Sequence, residues 1–351
     1  MKALGSLFPL EEATMTRVTI NGFGRMGRLA LRVLTLKNTL RVVAINEPEG
    51  STQTLALLTT QDSQQGAWNV SCTAEADSLL LQGEPIRRYR ETEPACIPWS
   101  ETNCDIVLDC SGRFRTPELL KPHLDQGARR VVVSAPVPGV PEIVMGVNHT
   151  HAGLASAPIS SAASCTTNAL APIVSTLHAG LGIVHGAVTT LHAPTNTQSV
   201  HDRPLTDPRR ARSALVNLIP TSTNSAHAVT RVLPELEGKL DSIAVRVPVM
   251  NASLVDAVFE VERETSIEEV NSILLEAAES EPLQGILGYE ERPLVSCDYA
   301  GDPRSSIIDA LSTRVTDGKL VKVLAFYDNE WGYANRLVEL VERVAELMES
   351  S

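Results

Sequence analysis

An α/β chain of two domains is the fold class that this sequence predicts. Three observations carry that reading. A short apolar strand runs straight into a glycine-rich turn and a helix near residue 20, and further short apolar runs recur up to residue 133. Near residue 165 a cysteine sits among hydroxyl and amide side chains where a helix begins. At roughly 150 residues per domain, the 351 residues favour two domains, and 43% hydrophobic content supplies their cores. A net charge of -12 disfavours generic binding to nucleic acid or to an anionic membrane. Any phosphorylated ligand must therefore find a local basic pocket.

The first element is the strand Arg17–Asn21, followed at once by Gly22-Phe23-Gly24-Arg25-Met26-Gly27. Leu29 to Leu34 then reads as a helix. A second apolar strand, Arg41 to Asn46, ends at Glu47, which lies 20 residues after Gly27. Strand, glycine turn, helix and spaced acid make the dinucleotide fingerprint. Gly22 permits the tight turn, Gly24 lets the backbone approach a pyrophosphate, and Gly27 lets the helix pack on the sheet. The helix N-terminus then faces the phosphates. Glu47 can accept hydrogen bonds from a ribose diol and would repel a 2′-phosphate, which favours NAD over NADP. Asp105 to Asp109 and Arg130 to Val133 read as further buried strands of a parallel sheet. Small polar residues follow each: Ser111 and Gly112 after one, Ser134 after the other. Ligands of such sheets bind at the carboxyl ends of strands, so these three are expected beside the cofactor.

In the second half, Ser164-Cys165-Thr166-Thr167-Asn168 opens a helix. Unpaired N–H groups and partial positive charge at a helix start stabilise a thiolate, the reactive form of cysteine. Cys165 is therefore the expected nucleophile. Gly186 to His192 reads as a strand, and His192 can hold the sulfur as thiolate and act as general acid and base. A separation of 27 residues does not itself prove contact. Arg246 stands inside an apolar strand and needs either a phosphate or a structural carboxylate. Arg209-Arg210-Ala211-Arg212 is either a solvated face or a loop flanking the cofactor or a second subunit. Thr221 to His227 offers hydroxyls before a helix, either as an anion site or as a plain N-cap. From Trp331 onward, Leu337, Val338, Leu340, Val341, Val344 and Leu347 follow a helical pattern expected to pack back on the first domain. The six cysteines show neither a C-x-x-C pair nor a zinc pattern, so no metal is expected and free thiols in the cytoplasm are. No apolar run approaches the roughly 20 residues that span a bilayer, and the first 14 residues do not read as a secretory signal.

Taken together, the sequence resembles the phosphorylating glyceraldehyde-3-phosphate dehydrogenase family. The markers are Ile20 to Arg25, Ser164 to Asn168, His192, Arg246-Val247-Pro248 and Tyr327-Asp328-Asn329-Glu330-Trp331-Gly332-Tyr333, in family order along nearly the whole chain. The resemblance implies a tail over residues 1–14 and an α/β Rossmann NAD-binding domain over 15–164, completed by a C-terminal helix over 330–351. It also implies an α+β catalytic domain over 165–329 with a mostly antiparallel sheet, and a homotetramer. Cys165 would attack the aldehyde of glyceraldehyde 3-phosphate. His192 would take the hydroxyl proton as hydride passes to NAD, and inorganic phosphate would cleave the resulting thioester. By motif, Thr195 and Arg246 would hold the substrate phosphate. Ser164, Thr166 and Thr223 would line the inorganic-phosphate site, and Asn329 and Tyr333 would meet the nicotinamide.

Several positions depart from the family pattern. Asn224 follows Thr223 where glycine is usual, and the added side chain is expected to narrow or re-aim the anion site. Gln65 stands for a histidine and Glu47 for an aspartate. The stretches Asn21 to Arg32, Thr195 to Gln198 and Gly285 to Val295 are similar to bacterial homologues associated with arsenate resistance, in which arsenate would replace phosphate as attacking anion. Erythrose-4-phosphate dehydrogenase and a sensor that kept the fold but lost turnover are the alternatives.

Overall fold

The computed structural model describes residues 15–350; the tail read over residues 1–14, and residue 351, lie outside the described residues. The first half runs β1 (Thr16–Asn21), α1 (Arg25–Leu34), β2 (Leu40–Asn46), α2 (Thr52–Thr60), β3 (Cys72–Ala74), β4 (Ser78–Leu81), β5 (Glu84–Tyr89), β6 (Ile106–Asp109), α3 (Pro117–Asp125), β7 (Arg130–Val133), α4 (Gly153–Ser156) and β8 (Ile159–Ser161). Their sheet has the order β3-β4-β5-β2-β1-β6-β7-β8. From β5 to β8 all neighbours are parallel, while β3, β4 and β5 fold antiparallel at one edge. Strands β6 and β7 read as short, nearly unbroken apolar runs because both faces of the sheet are covered.

The second half runs α5 (Cys165–Leu181), β9 (Ile183–His192), β10 (Ile219–Ser222), α6 (Ser225–Val232), β11 (Leu240–Arg246), β12 (Ser253–Val261), α7 (Ile267–Glu279), β13 (Leu287–Glu290), β14 (Ser306–Asp309), β15 (Arg314–Thr316), β16 (Leu320–Tyr327) and α8 (Trp331–Glu349). Its sheet has the order β10-β11-β9-β12-β16-β14-β13, with β15 on β16. Most of its pairs are antiparallel; β9 with β11 and β13 with β14 are parallel. Strand β12 alternates buried and partly buried residues, as a sheet with one face on α5 requires.

Helix α8 returns to the first half. Leu337, Val338, Leu340 and Val341 are fully buried in the core that also holds Val18, Ile20 and Leu29 to Leu31. Each such side chain stabilises the packing by roughly 1.5–3 kcal/mol. A second core joins α5 to β9, β12 and β16. Cys165 packs against both cores, which puts the sulfur on the seam between the two halves. The turn that delivers it is tight. Ala163 adopts a left-handed conformation with φ of 54°, and its carbonyl accepts a hydrogen bond from the Tyr333 hydroxyl at 2.9 Å. Ala163 N in turn donates to Ser161 Oγ at 3.0 Å.

Candidate active site

The glycine turn forms one wall of a groove of about 530 Å³ at the carboxyl ends of β1, β2, β6 and β7. Gly22 has φ of +87°, and a Cβ there would lie 2.5 Å from Ser111 Cα. At Gly27 a Cβ would meet the Gly22 carbonyl oxygen at 2.2 Å, so the helix can approach the turn only without a side chain. Gly24 differs: a Cβ would meet nothing within 4 Å. It stands at the N-cap of α1 with no side chain capping the helix, leaving the first N–H groups free for an anion. Glu47 lines the groove, its Oε2 accepting from Phe23 N at 3.0 Å and its Oε1 from Glu49 N at 3.1 Å. Each oxygen keeps a lone pair for a diol. Ser111, Gly112, Ser134, Arg25 and Met26 line the same groove. The Arg25 guanidinium, however, is committed to Asp62 at 2.5 Å and to Glu330, so a ligand phosphate would meet its main chain rather than a free cation.

Beneath the groove lies a chain of buried polar groups. Asn46 Nδ2 donates to Asn21 Oδ1 at 2.8 Å, and Asn21 Nδ2 donates to Asp109 Oδ2 at 2.7 Å. The other Asp109 oxygen accepts from Ser111 N at 3.1 Å and from Ser111 Oγ at 2.8 Å. Three strand ends and the loop after β6 are thereby fixed to one another.

Next to the groove is a second cavity of about 350 Å³, sharing Met26, Arg115, Ser134 and Ala135 with it. Cys165, His192 and Arg246 line it, with hydroxyls from Ser134, Ser164, Thr166, Thr190, Thr195, Ser222, Thr223 and Ser225, and without a carboxylate side chain. Strand register explains the convergence. His192 pairs directly with Arg246 between β9 and β11, and Thr190 pairs with Ala244, so period 2 puts all four on one face. Cys165 Sγ lies 3.5 Å from His192 Nε2. His192 Nδ1 lies 2.6 Å from the Ala193 carbonyl oxygen and 2.5 Å from Arg246 Nη1. Arg246 Nη1 also donates to that carbonyl at 3.0 Å, while Arg246 Nε is buried without a partner. Among the described residues no ion pair engages Arg246, so the structural salt bridge is not the partner of this charge.

Burial pushes the Cys165 thiol above its ordinary value; Arg246, the Thr166 hydroxyl and backbone N–H groups pull it back only in part. Burial and, after it, the Arg246 cation hold His192 down to about 3. Burial thus works against the thiolate that the helix start favours, while it keeps the imidazole neutral. In the tautomer that carries its proton on Nδ1 and donates it to the Ala193 carbonyl, the imidazole turns a bare Nε2 to the sulfur and can take the thiol proton when attack begins; Arg246 Nη1 then donates to that carbonyl and not to the ring.

Two family models match the sequence. The glyceraldehyde 3-phosphate dehydrogenase NAD-binding domain matches residues 16–117, and the C-terminal domain of the same enzymes matches residues 164–329. The chain belongs to the glyceraldehyde 3-phosphate dehydrogenase family. It is 54% identical over 330 residues to "Glyceraldehyde-3-phosphate dehydrogenase 3" of Nostoc sp., covering 94% of this chain and 98% of the relative. Relatives with the same family name from Bacillus cereus and Geobacillus stearothermophilus are 47% and 46% identical, over 93% and 94% of this chain and 97% and 98% of theirs. It is an NAD-dependent phosphorylating dehydrogenase in the manner of this family, with a Rossmann first half.

Within that family frame, several residues sit otherwise than the sequence suggested. Asn224 is exposed at the N-cap of α6, makes no side-chain cap bond, and does not line the cavity, whereas its neighbours Thr223 and Ser225 do. The Ser164 hydroxyl caps α5, accepting from Thr167 N at 3.0 Å, and so is partly spent on structure. Asn329 is buried, and its Oδ1 accepts from Ser253 Oγ at 2.8 Å, which leaves its amide nitrogen to turn outward. Thr195 N donates to Gln198 Oε1 at 2.9 Å, which fixes the loop after β9. Gln65 finds a structural role, donating to Asp328 Oδ2 at 3.0 Å. Sequence reading missed that aspartate's work. Asp328 Oδ1 caps α8 through Glu330 N and Trp331 N, both at 2.8 Å, while Oδ2 gathers Gln65, Asn251 and Gly301. Its position just before a helical stripe was the available signal. Thr190 and Arg115 were also missed as cavity residues, because nothing in their spacing marks them.

Proposed function

We propose that the chain oxidises glyceraldehyde 3-phosphate with NAD through a Cys165 thioester, with phosphate or arsenate as the attacking anion. The observation that carries this is an arginine without a carboxylate partner beside a 3.5 Å cysteine–histidine pair, in a carboxylate-free cavity that adjoins the dinucleotide groove. When Cys165 attacks the aldehyde carbon, its proton passes to His192 Nε2 and then to the new alkoxide, giving a thiohemiacetal. His192 next removes the hydroxyl proton as the carbon–hydrogen bond breaks. NAD, when bound, supplies the hydride acceptor. The anion then attacks the thioester carbon, and the sulfur leaves as thiolate to recover its proton from the imidazolium. Covalent capture divides one hard step into two and keeps the oxidation energy in the thioester.

The turn Gly22 to Gly27, of which Phe23 and Gly27 do not line the groove, and the groove residues Glu47, Ser111, Gly112 and Ser134, with Asn329 and Tyr333, are assigned to the cofactor. Ser164, Thr166, Thr195, Thr223 and Arg246 are assigned to the two anions; for Asn224 the exposed placement supports only an indirect part. Hydroxyls and a guanidinium read tetrahedral shape and negative charge, which phosphate and arsenate share. We assign residues 15–164 and 330–351 to the cofactor domain and 165–329 to the catalytic domain. The six cysteines are free, in keeping with a cytoplasmic enzyme; among the described residues no helix is long and apolar enough to cross a membrane. Exposed Val200, Leu205, Leu215, Val216, Leu218, Ile243 and Met250 support assembly, for which we propose a homotetramer. The test is a steady-state comparison of glyceraldehyde 3-phosphate and erythrose 4-phosphate, each with phosphate and with arsenate. NADH formation with the three-carbon substrate is expected. Pure folded protein that forms none under any of the four conditions is a binding protein, and the dehydrogenase reading fails.

A further inference from the structure

We propose that Arg88 is a positioning residue for cofactor choice. Its buried guanidinium draws the turn after β2 closed, and so holds Glu47 where that acid takes the ribose diol of NAD and turns away the 2′-phosphate of NADP. The inference rests on the assignment of Glu47 to the diol and names what keeps the acid in place. Arg88 lies on β5, in register with Ile45 of β2. It is buried, at 3% exposure, on the face of the strand that also carries Ile86. Its neighbours Arg87 and Arg90 reach out to Glu101 and Asp77. Among the described residues Arg88 forms no ion pair; its partners are oxygens of the turn and of the helix start behind it. Nη2 donates to the carbonyls of Glu47 at 2.9 Å, Glu49 at 2.9 Å and Gly50 at 2.8 Å. Nε donates to the Glu47 carbonyl at 3.3 Å, and Nη1 to Thr52 Oγ1 at 3.3 Å.

A buried cation without a counter-charge is costly unless its N–H groups are met. The turn meets them in one shape only, with three carbonyls brought to a single planar fork. Gly50 supplies the left-handed φ of +71° that closes this shape. Arg88 does not line the groove, whereas Glu47, Pro48 and Glu49 do, so it acts on a ligand only through the turn. Glu47 is thereby fixed twice: its main chain by Arg88 from beneath, and its carboxylate by Phe23 N and Glu49 N. The bond from Glu49 N lies within the same turn, so losing the shape of the turn also releases the carboxylate.

Calorimetric titration with NAD and with NADP tests this without any turnover. Arg88→Met keeps the bulk and removes the donors. It should weaken NAD binding roughly tenfold and leave NADP binding unchanged or tighter, so the ratio of the two dissociation constants shifts by at least that factor. Arg88→Lys, with its point-like ammonium, should shift the ratio part of the way, and it decides the matter if Arg88→Met does not fold. Iodoacetamide should alkylate Cys165 at the wild-type rate in both. Glu47→Gln should shift the ratio by itself, and adding Arg88→Met to it should change little more, since the arginine acts through the acid. An unchanged ratio in a folded Arg88 variant overturns the proposal, as does an equal weakening of NAD and NADP, or full additivity in the double variant. If Glu47→Gln shifts the ratio and the Arg88 variants do not, the ribose reading stands and this inference falls. If Glu47→Gln shifts nothing, the ribose reading fails and takes the inference with it.

Discussion

The sulfur and the imidazole are each unremarkable as isolated side chains, and their environment makes them a pair. Burial pushes the thiol up and holds the facing imidazole down to about 3, so the imidazole stands neutral beside the sulfur. Cys165→Ser is expected to abolish turnover and leave NAD binding intact, read by NADH formation and by calorimetric titration with NAD. His192→Asn is expected to cost about 10²- to 10⁴-fold in kcat and to slow alkylation of Cys165 but not of Cys96. In the ligand-free protein the alkylation of Cys165 should rise with a midpoint above pH 9.0, the ordinary thiol value. The same imidazole also bears on stability. Its proton affinity is lower in the folded chain than in the unfolded one, so between pH 6.5 and about 3 the unfolded chain binds more protons. Stability contributed by neutral His192 is complete above pH 6.5 and is lost as pH falls through that window, at up to ~1.4 kcal/mol per unit. Urea unfolding across the window should show a shallower acid loss in His192→Asn than in wild type. The residue types were legible from sequence because helix starts and strand ends leave a mark. The protonation states were not, because burial is a property of the closed cavity.

Elements position these residues with little freedom. Four cavity side chains depend on one register between β9 and β11, which alternation makes an all-or-none matter. Strands β1, β2, β6 and β7 and the glycine turn could be read from the chain within a residue or two, since short apolar runs and the fingerprint are local; β3 to β5, β8 and most of the second sheet could not. The convergence of Thr190 and Arg115 could not be read, because it arises from contact between distant segments. Helix α8 carries two predictions of its own. Tyr333→Phe removes the donor to the buried Ala163 carbonyl, leaving an unsatisfied acceptor that costs about 1–3 kcal/mol. It should also lower kcat by loosening the turn ahead of Cys165. Leu337→Ala, in the buried stripe of α8, should cost about 2–5 kcal/mol with the catalytic pair untouched. Denaturant midpoints and thiol alkylation together separate the two effects.

At the scale of the whole molecule, the parallel sheet, the mixed sheet and the returning helix make one continuous reaction path. The groove and the cavity share a wall, so the proposed cofactor and substrate sites adjoin. Apolar side chains between residues 200 and 250 remain uncovered in the single chain, with Val216 77% exposed. Val216→Asp should shift the sedimentation coefficient toward smaller species, and an unchanged value would remove that face from assembly. A saturating cofactor at about 100 times its Kd should raise stability by ~2.7 kcal/mol, visible as a higher thermal midpoint. Finally, the sulfur is packed by both cores at once. Inactivation on heating must therefore follow whichever half melts first, and strengthening the sturdier half alone would leave the working lifetime of the enzyme where it was.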